Sequence, residues 1–289
     1  MEKLSMTNCG EEVKILGKSA ENSEVQKQKS LISKSRENLA GILLLLIVLP
    51  ESLIYFGKFR VALLLYACIL IALSLISIFV KEKEIRNICQ AFLLLPIFRL
   101  INFSMPVFSK MPLLSFIFIY TPMIIPLTIV AINQQFTYKQ LGLNFKNLRY
   151  YLPVSILIGL ILGLGESSAI RIIPLIPDLS FINIAKITLV MIFFVGIIEE
   201  IIFRSILQTR LEEVFGVWDG LIFSSLLFGL MNSGYGTTYE ILYALFVGLL
   251  IGYIFQKTRS LPFIAMIHGF VNVFSFGVIP HLGHGFGLF

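Results

Sequence analysis

The chain has 289 residues, of which 57% are hydrophobic and 14% are charged, and its formal net charge is +6. Its mean hydropathy of +0.88 is too high for a soluble globular domain of this size. The basic residues are spread over short connections between apolar runs, where they set membrane topology, so the positive charge does not indicate a nucleic-acid partner. Composition therefore predicts a multi-pass membrane protein.

The N-terminal residues 1–38 are polar and mixed in charge, with too little apolar surface to form a core. We expect a disordered cytoplasmic tail there, followed by a first span that is retained rather than cleaved as a signal peptide. The three cysteines, Cys9, Cys68 and Cys89, have neither CxxC nor metal-ligand spacing, so the sequence predicts neither a disulfide framework nor a zinc ribbon.

Nine apolar windows close to the length of a membrane span follow the tail. They cover residues 39–56, 61–80, 88–103, 113–132, 151–165, 182–207, 217–231, 241–255 and 261–279. The predicted fold is all-α, a polytopic transmembrane helix bundle of about eight or nine spans. Lysine and arginine are more frequent in the even-numbered connections, which agrees with a cytoplasmic N-terminus.

The longest polar interruption after the tail, residues 133–149, predicts an amphipathic connector that separates two groups of spans. We therefore divide the chain into the tail, an N-terminal helical part at 39–149, a C-terminal domain at 150–280 and a short tail at 281–289. Two small-xxx-small pairs, Gly159 with Gly163 and Gly248 with Gly252, predict close helix packing in the C-terminal domain.

Two adjacent carboxylates, Glu199 and Glu200, lie inside the sixth apolar window. A charged residue at the centre of a span costs roughly 2.5–3.5 kcal/mol, so this pair needs a partner, a wet cavity or a function. Arg204 lies four residues after Glu200 on the same helix face and is expected to pair with it. Glu199, about 100° around the helix, then faces a different neighbour.

The last window carries His268 and Asn272, which are one helical turn apart and can point into the same cavity. A carboxylate, an imidazole and an amide that converge in a water-filled pocket would supply a general base and oxyanion donors.

These segments resemble the CAAX protease and bacteriocin-processing (CPBP or Abi) family, which includes the type II CAAX prenyl endopeptidases. The resemblance covers residues 151–279. The first motif, Glu-Glu-x-x-x-Arg, is intact as Glu199, Glu200 and Arg204, and the third, His-x-x-x-Asn, is intact as His268 and Asn272. The resemblance implies a multi-pass protein of a bacterial cell membrane that acts as an intramembrane endopeptidase.

The second family motif, Phe-x-x-x-His, departs from the pattern in this chain. Phe228 is present, but Asn232 stands where the family has histidine. In the family this histidine helps the first glutamate to deprotonate the attacking water. An amide can hydrogen-bond a water but cannot accept its proton near neutral pH, so the substitution predicts an impaired or one-base mechanism.

The resemblance assigns roles to the remaining motif residues. Glu199 is the expected base, Glu200 and Arg204 its supporting pair, and His268 with Asn272 the oxyanion donors. No cofactor is expected, and a zinc site is disfavoured because HExxH is absent and the only other histidines in the chain, His281 and His284, are near the C-terminus. The expected partners are membrane lipids and a membrane-associated or lipidated peptide or protein. A membrane regulator is a further candidate partner.

Three alternatives remain open from the sequence. The charged residues can form a purely structural ion network. The chain can be a catalytically impaired relative that acts as a bacteriocin-immunity factor or as a membrane scaffold or regulator. An ion-coupled transporter ranks last, because the N-terminal half has no counterpart of the glutamate pair. Glu51 and Arg99 are expected to pair or to reach an interface, and Glu166 receives no role.

Overall fold

The computed structural model of the chain describes residues 38–39, 41–104, 112–170 and 172–286. All of the predicted cytoplasmic tail except Asn38 lies outside these residues, as do the last three residues of the C-terminal tail. The described residues fall into two units, the first ending at Leu45 and the second beginning at Leu46. Every motif residue belongs to the second unit.

All regular structure in the described residues is helical, which confirms the predicted all-α class. The helices are α1 (Gly41–Tyr55), α2 (Phe59–Phe79), α3 (Lys83–Ser104), α4 (Ser115–Asn133), α5 (Tyr138–Leu141), α6 (Leu148–Ala169), α7 (Phe181–Phe215), α8 (Val217–Leu230), α9 (Thr238–Thr258) and α10 (Leu261–Leu282). Six of them are long and apolar enough to cross a membrane, namely α2, α4, α6, α7, α9 and α10.

The three other predicted windows correspond to helices that do not meet this criterion. Helix α1 is apolar but shorter than a span, and α8 has only 14 residues, or about 21 Å at 1.5 Å per residue. Helix α3 has 22 residues but carries several charged side chains, among them Lys83, Glu84 and Arg86 in its first turn. An integral multi-pass membrane protein is therefore supported, with six candidate spans among the described residues.

Helix α7 is the longest in the described part of the chain, at 35 residues, and it is not a uniform α-helix. Its turns are π-helical at Val190–Gly196 and again at Ile201–Gln208, and a single α-helical turn, Ile197–Glu200, lies between them. The two motif glutamates end this turn. π-Helical turns are rare and are often found at functional sites.

Helices α7 and α10 approach very closely beside the glutamates. A Cβ atom on Gly196 would lie 2.7 Å from the carbonyl oxygen of Ala265, and one on Gly269 would lie 2.7 Å from Cα of Ile192. Neither contact leaves room for a side chain, so glycine is required at both positions. The close approach brings His268 of α10 within reach of the glutamates of α7.

The predicted small-xxx-small pairs are helix contacts. A Cβ on Gly159 would lie 2.4 Å from Cβ of Phe270, and one on Gly163 would lie 2.8 Å from Cβ of Phe274, so α6 packs against α10. Gly248 of α9 faces Ser225 of α8 in the same way, although less tightly. Small residues permit such approach in lipid, where apolar burial supplies no driving force.

Candidate functional site

A buried cluster joins α7 to α10. Glu200 Oε1 lies 3.0 Å from Nη1 of Arg204 and 2.6 Å from Nδ1 of His268. The side chains of Glu200 and Arg204 are 0% and 1% exposed, so this ion pair is shielded from solvent. The pairing expected from the four-residue spacing is thus confirmed, and Glu200 Oε2 has no hydrogen-bond partner in the described part of the chain.

Glu199 points away from this ion pair. Its Oε1 accepts a 2.5 Å hydrogen bond from the hydroxyl of Tyr120, and its Oε2 lies 3.7 Å from Nε2 of His268. The imidazole is therefore held between the two glutamates, with Glu200 at Nδ1 and Glu199 near Nε2.

The second motif lies at the end of α8. Nδ2 of Asn232 donates a 3.0 Å hydrogen bond to the carbonyl of Phe228, one turn earlier. The Phe228 ring packs under the guanidinium of Arg204, whose Cζ atom lies 4.3 Å from the ring centroid. The same ring meets the ring of His268 edge-on, with 5.8 Å between the two ring centroids. Phe228 thus packs against both Arg204 and His268, while Asn232 uses its amide nitrogen within its own turn.

A cavity of about 790 Å³ brings most of the predicted residues together. Its lining includes Glu199, His268, Asn272 and Asn232, together with residues that sequence reasoning did not assign, among them Tyr120, Tyr235, Tyr243, Glu166 and Glu240. His268 and Asn272 are 7% and 8% exposed. Glu200 and Arg204 do not line the cavity and lie behind its wall.

An ion pair from the N-terminal helices fixes the turn that carries the second motif. Arg99 of α3 contacts both carboxylate oxygens of Glu51, at 2.8 and 2.6 Å, and its Nη2 donates a 2.6 Å hydrogen bond to the carbonyl of Met231. The hydroxyls of Ser233 and Tyr66 also donate to Glu51. The pairing of Glu51 with Arg99, one of two expected outcomes, is therefore present, and it ties α1 and α3 to the turn.

Tyr120, Glu166 and Glu240 were not selected from the sequence. Tyr120 is an apolar-window tyrosine 79 residues before its partner Glu199, so no local pattern connects the two. Glu166 accepts a 2.6 Å hydrogen bond from Ser275 of α10. The one local signal is the position of Glu240, three residues after Thr237 at the start of α9, which is the usual place for a capping glutamate.

The histidines near the C-terminus do not join the cluster in the described structure. Nε2 of His281 is 3.0 Å from the carbonyl of Ile176, outside the cavity lining, and the side chain of His284 lies outside the described part. Across the described ranges, no three His, Cys, Asp or Glu side chains converge as a metal ion would require.

Fold and site together define a helical multi-pass membrane protein with a buried Glu–His–Arg cluster beside a polar cavity. Residues 181–274 match the family model described as type II CAAX prenyl endopeptidase Rce1-like. The chain therefore contains a domain of the Rce1-like CAAX protease family, which confirms the resemblance drawn from the motifs. No curated protein and no solved structure matches the chain.

Proposed function

We propose that the protein is an intramembrane endopeptidase that cleaves a membrane-associated or lipidated peptide or protein. The observation that carries the proposal is the position of Glu199, whose carboxylate faces a cavity of about 790 Å³ with Nε2 of His268 only 3.7 Å away. A base and a donor that converge on one cavity are what hydrolysis of an amide requires.

The proposed reaction begins with a water molecule beside Glu199. The carboxylate takes a proton from this water while the water oxygen bonds to the peptide carbonyl carbon, and the carbonyl π electrons move to the oxygen. His268 Nε2 and the amide of Asn272 donate to that oxyanion. Glu199 then returns the proton to the amide nitrogen as the carbon–nitrogen bond breaks.

The buried pair of Glu200 and Arg204 positions the imidazole for this reaction. Glu200 occupies Nδ1 of His268, so Nε2 is the nitrogen left for the substrate. Tyr120 donates to Glu199 and fixes the direction of its carboxylate. All three residues act by orienting the groups that meet the substrate.

The presence of Asn232 supports a second candidate function. It replaces the family histidine and spends its amide nitrogen on the carbonyl of Phe228. Loss of a general base typically lowers a rate by about 10²–10⁴. The second candidate is thus a catalytically impaired relative that uses the same cavity as a membrane scaffold or regulator. The family match does not support a role in bacteriocin immunity.

The remaining predictions belong to the same proposal. We place the chain in a bacterial cell membrane with its N-terminus in the cytoplasm, and we keep eight or nine spans by including α1, α3 and α8. The domain boundaries at residues 38, 149 and 280 also stay as predicted. The support is the positive-inside distribution of lysine and arginine along the chain.

The test is cleavage by the full chain reconstituted in lipid vesicles, with a library of lipidated and unlipidated peptides. The parent, Glu199→Ala and Asn232→His are compared in one assay. Cleavage by the parent that is lost in Glu199→Ala supports the endopeptidase. Cleavage that appears only in Asn232→His supports the impaired relative, and silence of both the parent and Asn232→His contradicts the endopeptidase.

A further inference from the structure

The carboxyl group of Glu240 makes no reciprocal capping bond at the helix start. Residues Thr-x-x-Gln and Thr-x-x-Glu open α5 and α9, and such sequences commonly form a reciprocal capping box. In α5 both halves of the box are present: Gln140 N donates to Thr137, and the Gln140 side chain accepts from the backbone of Thr137. In α9 only the first half is formed, from Glu240 N to the side chain of Thr237.

The side chain of Glu240 is instead part of the cavity lining. The residue is only 1% exposed, and its Oε2 has no hydrogen-bond partner among the described residues. A buried polar group without a partner is costly, and a native structure usually keeps one for a reason. The Glu240 carboxyl is therefore positioned for a group that enters the cavity from outside the protein.

Glu166 approaches the same part of the cavity from α6. Helices α6 and α9 are joined there, because the hydroxyl of Tyr243 donates a 2.5 Å hydrogen bond to the carbonyl of Leu162 and lies against Gly165. Glu166 accepts a hydrogen bond from Ser275 and, like Glu240, lines the cavity. Two carboxyl groups that line one cavity would both be stabilised by a cation that lies between them.

Among the residues that the structure describes, no arginine is paired with either carboxyl. Arg204 is paired with Glu200 and Arg99 with Glu51, and in the described ranges neither Glu166 nor Glu240 forms a salt bridge. A metal ion is a poor fit, because Ca²⁺ takes 6–8 oxygen ligands and no three acidic, histidine or cysteine side chains of the described residues converge. An ammonium or guanidinium group needs only the two carboxyls and their neighbours.

We propose that Glu240 and Glu166 form a subsite that receives the positively charged side chain of a lysine or arginine in the bound peptide. The subsite shares its cavity with Glu199 and His268, so a peptide whose scissile bond lies at Glu199 has its basic side chain at Glu240. The inference rests on the proposed peptide substrate. It adds a specificity determinant from α6 and α9 that the three family motifs do not contain.

The test measures binding rather than cleavage, with the full chain in nanodiscs. A Glu199→Gln background prevents turnover. The probes are a scanning set of fluorescent peptides in matched pairs that differ only in one lysine or norleucine. At one peptide position, lysine is expected to bind about tenfold or more tightly than norleucine. Adding Glu240→Gln, or separately Glu166→Gln, is expected to abolish this preference, whereas adding Glu82→Gln on an exposed loop keeps it.

Three results would overturn the subsite. One is equal affinity for lysine and norleucine at every position, and another is a lysine preference that survives both cavity substitutions. The third is binding that depends on sodium ions instead of on lysine, which assigns the carboxyls to an inorganic cation. Thermal unfolding of each variant shows that loss of preference is not loss of fold.

Cleavage by the chain with Glu199 intact is scored separately. A lysine preference without cleavage supports the subsite and contradicts the endopeptidase. Cleavage without a lysine preference supports the endopeptidase and contradicts the subsite.

Discussion

His268 and Glu200 are 68 residues apart in the chain and are joined by a 2.6 Å contact between Nδ1 and Oε1. The same oxygen of Glu200 accepts from Arg204, so one carboxylate oxygen contacts both side chains. Because this contact is made at Nδ1, Nε2 is the ring nitrogen that remains available to the cavity. It depends on the glycine-mediated approach of α7 and α10, so the stability of the helix pair and the geometry of the site are linked.

Replacing Arg204 with glutamine should destabilise the protein strongly. The substitution leaves Glu200 buried without its cation, and breaking one partner of a buried pair typically costs about 3–5 kcal/mol. The change is measured as the free energy of unfolding in detergent. Arg149→Gln removes the same charge from an exposed position and should change that free energy little. Equal effects of the two substitutions would contradict a structural role for the Arg204 pair.

Tyr120→Phe should lower the cleavage rate without unfolding the protein. The substitution removes only the hydroxyl that donates to Glu199, and hydrogen bonds to charged groups contribute about 1.5–3 kcal/mol, or about 10- to 100-fold in rate. The readout is kcat in vesicles, with Tyr138→Phe on the exposed start of α5 as the control. An unchanged kcat would show that Tyr120 does not orient the carboxylate.

Glu51→Gln should loosen the turn at the end of α8. Arg99 then lacks its anionic partner, so its hold on the carbonyl of Met231 weakens and Ser233 loses a charged acceptor. We expect faster amide hydrogen exchange at residues 231–236 than in the parent. The matched change Glu82→Gln should leave exchange there unaltered, and equal exchange in both variants would refute the coupling.

Gly269→Ala should separate α7 from α10. The added methyl group would meet the backbone of Ile192, and such overpacking costs about 1–3 kcal/mol. We expect a lower unfolding temperature together with loss of activity, because His268 moves with the helix. In Gly248→Ala the nearest atoms are 3.3 Å away, so the same methyl group should be tolerated much better. A Gly269 variant as stable as the Gly248 variant would argue against this packing.

The sequence reveals the parts of this site that follow from spacing along one helix. Four-residue spacing predicted that Glu200 and Arg204 pair, and the small-residue pairs predicted close helix contacts. Contacts between distant segments have no such signal: Tyr120, Glu166 and Ser275 come from three different helices. The number of spans was also hard to derive, because hydropathy alone does not show that α8 ends after 14 residues.

The residues that line the cavity come from two parts of the chain, one inside the segment that matches the family and one before it. The motif residues all lie within 181–274, whereas Tyr120, Glu166 and Arg99 reach the cavity from helices before that segment. A fragment limited to residues 181–274 would lose part of the cavity wall. It would also lose the hydrogen bond from Arg99 to the carbonyl of Met231, which holds the turn that carries Asn232. Conversely, exchanging α4 or α6 between related chains offers a way to retarget the protein while every motif residue stays unchanged.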